Sequence, residues 1–120
     1  MTIKYETKVV EIGNSIREMG NDVIILFGST VTEDLKDYCY VINTNKVNGQ
    51  ILTGDYIELD GEKFTILGVG NLAQQNLESL GHLSIYTSGN LADLLPGAIV
   101  IKVNNELTIQ QGSTIKILGD

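Results

Sequence analysis

Apolar positions along this chain recur mostly with a period of two, or as short runs bounded by turn-forming residues. Ile3, Tyr5 and Thr7 alternate with Lys4 and Glu6 and lead into Val9-Val10-Glu11-Ile12, which predicts a strand over residues 2–12. Val23-Ile24-Ile25-Leu26-Phe27, between Asn21-Asp22 and Gly28-Ser29, suits a buried strand, as does Tyr38-Cys39-Tyr40-Val41-Ile42 before Asn43-Thr44-Asn45. Tyr56-Ile57-Glu58-Leu59, Asp60-Gly61 and Phe64-Thr65-Ile66-Leu67 form the clearest hairpin, because Asp-Gly supplies the positive φ angles of a tight turn. Strands over residues 83–87, 98–103 and 114–118 complete the set.

Helical spacing is confined to one place. Leu72, Ala73, Asn76, Leu77 and Leu80 share a face, Asn71 precedes them as an N-cap, and Gly81 stands where a left-handed residue would end the helix. This predicts about ten helical residues. Residues 33–37 after Thr32 and residues 14–19 could each supply a single turn, and residues 91–95 before Pro96-Gly97 fit no one pattern. Thirteen glycines and evenly spaced short strands favour an all-β fold. A small closed β-barrel with one short helix is the expectation, since closure hides the strand edges most simply. No linker or repeat interrupts the chain, so residues 1–120 read as one domain.

The formal net charge is −7, which argues against a nucleic-acid partner, because affinity for nucleic acid comes largely from neutralising phosphates with Lys and Arg. An anionic membrane surface is disfavoured for the same reason, whereas a basic protein partner is easily accommodated. No run of about 18 apolar residues exists to insert into a membrane. The N-terminal residues read as a strand and not as a signal peptide, and the single cysteine excludes an internal disulfide. Together these features predict a cytoplasmic location.

Candidate chemistry is sparse. One histidine and one cysteine, far apart, do not make a zinc set, and the carboxylates follow no calcium-loop pattern, so neither a metal nor a cofactor is expected. Cys39 reads as a buried structural thiol, with no basic neighbour in sequence to stabilise a thiolate. Gly68-Val69-Gly70-Asn71 leads from strand to helix. Backbone N–H groups at Gly70 and Asn71 could hold a phosphoryl anion there, or the glycines could serve only the turn.

His82 is the most versatile group. Imidazole alone among side chains has its ordinary pKa near neutrality, and it can carry a proton or a phosphoryl group. His82 could equally be a hydrogen-bonded structural residue at a strand start. Gly81 removes bulk beside it. A carbonyl near the helix end, accepting from one ring nitrogen, would fix the tautomer and leave the other nitrogen free to attack phosphorus.

Several segments carry a family resemblance over nearly the full length: Ile12-Gly13, Asp34-Leu35-Lys36-Asp37-Tyr38-Cys39-Tyr40, Gly68-Val69-Gly70, Asn76-Leu77-Glu78-Ser79-Leu80-Gly81-His82 and Leu95-Pro96-Gly97. The chain resembles the IIA component of the glucitol/sorbitol-specific phosphotransferase system. The resemblance implies a small closed β-barrel and a place in a phosphoryl relay. Phosphate would come from the histidine-containing phosphocarrier protein and pass to the IIB part of a membrane transporter with IIB and IIC components. No metal is required of such a carrier.

The resemblance also exposes a departure. Relatives can carry a histidine just after the Tyr-Cys-aromatic triplet, regarded as the phosphorylated residue, and here Ile42 stands in its place. Either the working histidine is His82, or this member has lost its acceptor and serves as a non-catalytic binding or regulatory module docking on transporter or regulator proteins. Asn43, Thr44 and Asn45 follow the vacated position and could lie near the site as hydrogen-bond donors.

Overall fold

The computed structural model describes residues 1–19, 22–105 and 107–120. Among them nine strands form one sheet: β1 (Thr2–Ile12), β2 (Val23–Phe27), β3 (Tyr40–Ile42), β4 (Tyr56–Leu59), β5 (Glu62–Thr65), β6 (Gly68–Val69), β7 (Leu83–Tyr86), β8 (Ala98–Val100) and β9 (Thr114–Gly119). Their order across the sheet is β5-β4-β9-β1-β3-β2-β7-β8-β6. Most neighbours are antiparallel, but β2 runs parallel to β3 and β7 parallel to β8. Helices are α1 (Glu33–Lys36), a single turn, and α2 (Ala73–Leu80), with 3-10 turns at Ile16–Met19 and Leu91–Asp93.

The sheet curls into a half-barrel because its two edges belong to consecutive pieces of chain. Only Ile66 and Leu67 separate β5 from β6. Ile66 donates its N–H to the Asp55 carbonyl at 2.8 Å, on the β4 side, and Leu67 donates to Val100 at 2.8 Å, on the β8 side. Alternating side chains then point inward from every wall. Tyr5, Leu26, Ile42, Ile57, Ile85 and Ile117 meet in the core, and α2 lays the fully buried Ala73 and Leu77 over it. The architecture is thus the expected all-β one with a short helix.

Local chemistry accounts for the details. Asp60 and Gly61 both have positive φ (50° and 88°), the two-residue turn that Asp-Gly favours between β4 and β5. The register shift in β1 between Ile3 and Tyr5 turns two successive side chains, Lys4 and Tyr5, inward. Lys4 is only 4% exposed, and its Nζ reaches Asp55 Oδ2 and the Gln50 carbonyl, each at 2.7 Å. Gly119 leaves room for this pair, since a Cβ there would run into the Asp55 carboxylate.

Several boundaries differ from the sequence expectation, among them the eighth strand, which ends at Val100 and not at residue 103. The third strand starts at Tyr40, because residues 38–39 are still in the turn that follows α1, where Tyr38 N–H bonds Leu35 O. The second hairpin arm starts at Glu62, directly after the turn. Asn71 is not the N-cap of α2. Leu72 holds that position with no side-chain cap, because tertiary contacts replace it: Leu72 N–H donates to the Pro96 carbonyl at 2.8 Å and Ala73 N–H to Gly70 at 3.1 Å.

Candidate active site

Helix α2 ends at Gly81, which takes the left-handed conformation (φ 69°, ψ 14°) that reverses the chain at low cost for a residue without Cβ. His82 follows immediately, and its backbone N–H bonds Asn76 O at 3.2 Å. Strand β7 begins at the next residue and pairs antiparallel with β2, Leu26 opposite Leu83. The pairing sets the half-buried imidazole over the end of β2. Its Nδ1 lies 3.1 Å from the Leu26 carbonyl oxygen, and its ring centroid lies 4.7 Å from that of Phe27, tilted by 32°.

A carbonyl oxygen can only accept. Nδ1 therefore carries the proton, and the neutral ring presents a lone pair at Nε2. Among the described residues no hydrogen bond engages Nε2. The expected tautomer lock is present, but its carbonyl comes from a strand 56 residues away and not from the helix end.

Beyond His82 the strands β2 and β7 continue into a contact between two glycines. Gly28 donates its N–H to Leu80 O at 2.9 Å. A Cβ at Gly28 would strike the Thr44 hydroxyl and come within 2.6 Å of the Leu80 carbonyl oxygen. One at Gly81 would lie 2.7 Å from Gly28 N and 3.3 Å from Thr44 Oγ1. The closeness of these three residues depends on the two missing side chains. Leu26, Phe27 and Gly28 carried no signal for this role beyond the glycine ending an apolar run, since strand pairing alone brings them to His82.

The other expected site residues lie elsewhere. Gly70 and Asn71 precede α2, at the opposite end from His82, roughly 12 Å away along eight residues of helix. The N–H groups of Gly70, Leu72 and Ala73 are already committed to Ala98 O, Pro96 O and Gly70 O. The expected phosphoryl cradle thus lacks those donors. Asn71 instead faces an open groove with Lys46, Gln74, Gln75, Glu78 and Ser79. Asn43 immediately precedes Thr44 but uses its carbonyl to accept from the Thr7 hydroxyl at 2.7 Å.

Ile42, where relatives can carry histidine, is fully buried in the hydrophobic core. Cys39 is buried as well, which pushes its thiol pKa up. Among the described residues no cluster of three or more His, Cys, Asp or Glu side chains could hold a metal ion. Nor is any described helix long and apolar enough to cross a membrane.

This curled sheet, with one histidine held at the end of its main helix, has a solved counterpart. It is similar to the crystal structure of the PTS system IIA component from Enterococcus faecalis V583, with a TM-score of 0.82 and 26% identity over 96% of this chain and 100% of that one. The class is therefore a IIA component of the phosphotransferase system (PTS), a phosphotransfer carrier. The family model for the PTS system glucitol/sorbitol-specific IIA component matches residues 4–116, and the chain belongs to this family. Glucitol/sorbitol-specific EIIA components of Escherichia coli (strain K12) and Shigella flexneri are similar, at 27% and 26% identity over 117 residues, covering 97% of this chain and 95% of each relative.

Proposed function

We propose that residues 1–120 act as a single cytoplasmic phosphocarrier domain in which Nε2 of His82 is the phosphoryl acceptor. The donor is the phosphorylated histidine-containing phosphocarrier protein, and the recipient is the IIB component of a glucitol/sorbitol transporter. The observation that carries this reading is the contact of Nδ1 with the Leu26 carbonyl, which holds the ring in the nucleophilic tautomer.

In the forward step the Nε2 lone pair attacks phosphorus in line. The P–N bond to the donor imidazole breaks and its electron pair returns to the donor nitrogen. The proton stays on Nδ1 throughout, donated to the Leu26 carbonyl oxygen. In the onward step the recipient's nucleophile attacks the same phosphorus, and the pair of the P–Nε2 bond returns to His82. Phosphorus moves between nucleophiles, so the carrier's task is positioning and charge stabilisation. Burial of Ile42 supports His82 over position 42, since an alkyl side chain sealed in the core can neither bind phosphorus nor meet a partner protein.

The test is labelling. Incubation with phosphoenolpyruvate and the two general phosphotransferase proteins should raise the mass by one phosphate, about 80 Da. The product should survive base and be lost in acid. Full labelling of His82→Gln would refute the assignment.

A further inference from the structure

A phosphoryl group at His82 brings negative charge to the C-terminal end of α2, where helix carbonyls already concentrate partial negative charge. It needs a hydrogen-bond donor. Three N–H groups at the helix end are spent: Gly28 on Leu80 O, Gly81 on Leu77 O and His82 on Asn76 O. Phe27 offers only its ring and Leu26 only its carbonyl. One group is left. The Thr44 hydroxyl rests on the Gly28–Gly81 contact, within one residue of His82, on an exposed residue. It makes no hydrogen bond among the described residues.

The backbone around Thr44 is pinned on both sides. Thr7 Oγ1 donates to Asn43 O at 2.7 Å, and Asn45 Nδ2 donates to Glu6 O at 3.0 Å. Asn45 Oδ1 also accepts from Lys46 N–H at 2.9 Å. An uncommitted donor on a pinned segment, packed against the glycine that precedes His82, can stabilise transferring charge with little reorganisation.

We propose that Thr44 donates a hydrogen bond to a non-bridging oxygen of the phosphoryl group on His82 and speeds its transfer. The inference rests on the assignment of His82 as acceptor. A side chain at Gly28 would displace this hydroxyl or the Leu80 carbonyl, and one at Gly81 would strike the Gly28 backbone.

The experiment measures transfer from the phosphorylated histidine-containing phosphocarrier protein to the Thr44→Val, Thr44→Ser and Thr44→Ala variants, together with the ³¹P chemical shift of each phosphorylated product. Thr44→Val should still be labelled at His82, with kcat lower by about tenfold or more, KM within about twofold, and a displaced ³¹P resonance. Serine should restore both rate and shift. Alanine gives the same reading as valine with no added bulk at Gly28. Wild-type kcat and ³¹P shift in Thr44→Val, a loss confined to KM, or a serine variant as slow as valine would overturn the proposal. Unimpaired labelling of His82→Gln would instead remove the underlying assignment. Silence of that variant, alongside a wild-type Thr44→Val, would remove only the role of Thr44.

Discussion

Nδ1 of His82 meets the carbonyl oxygen of Leu26 at 3.1 Å across the pairing of β2 with β7, and this one contact decides which ring nitrogen is nucleophilic. The phosphorylated protein should therefore be the Nε2 isomer. ¹⁵N-edited ³¹P spectroscopy distinguishes the two, and a product linked through Nδ1 would mean that the ring leaves Leu26 before it reacts.

Restoring the relatives' histidine should not restore function. Ile42 is 0% exposed, so Ile42→His introduces a polar ring into the core and should cost roughly 2 kcal/mol or more. In the His82→Gln background, Ile42→His should remain unlabelled under the same relay conditions. Recovery of label would show that position 42 can still present an acceptor.

Gly28→Ala and Gly81→Ala should both be destabilising and poor in transfer. The left-handed conformation of Gly81 alone makes alanine unfavourable by about 1–2 kcal/mol. At Gly28 the obstacle is the Leu80 backbone oxygen, which cannot rotate away as a side chain would. Urea midpoints measure the stability, and labelling below the transition measures the site.

The Lys4–Asp55 pair should behave as a buried unit. Asp55 also accepts from Leu52 N–H at 2.9 Å, and both side chains are under one-tenth exposed. Asp55→Ala should lose about 3–5 kcal/mol by stranding the Lys4 ammonium. The double variant Lys4→Met/Asp55→Leu should recover a large part of that loss. A single variant near wild type in urea denaturation would contradict this.

Alkaline pH should unfold the chain earlier than charge repulsion alone would. Burial raises the pKa values of Cys39, Tyr40 and Tyr5. Each folded value lies above its unfolded one. The contribution is thus complete below the ordinary values of 9.0 for the thiol and 10.0 for the phenols, and it is lost as pH rises past them. Thermal midpoints between about pH 8 and 11 should fall, and Tyr5→Phe should fall less steeply. That variant also removes a buried hydroxyl that lacks a hydrogen-bond partner, so it should be no less stable than wild type at neutral pH.

Strand positions were legible because burial on one face imposes a period of two. β1 and β2 match their predicted bounds, and Asp60-Gly61 marks its hairpin. His82 after Gly81 was legible through the helix stop. Pairing order was not, because parallel neighbours such as β2 with β3 need crossovers that leave no local pattern. The site divides along the same line. Its nucleophile candidate is local in sequence, whereas the Leu26 carbonyl and the Thr44 hydroxyl arrive from distant segments. Asn71 looked like a cap and an anion ligand on local grounds, but Pro96 and Ala98 occupy the neighbouring donors.

The handover at Ile66-Leu67 restricts how this molecule can meet others. With both margins of its sheet drawn from one short stretch of chain, only four residues of β5 and two of β6 are available as an unpaired border. Recruitment of a foreign strand has little backbone to grip. Encounters in a relay, which must be brief enough to release phosphorus onward, are left to side chains and loops.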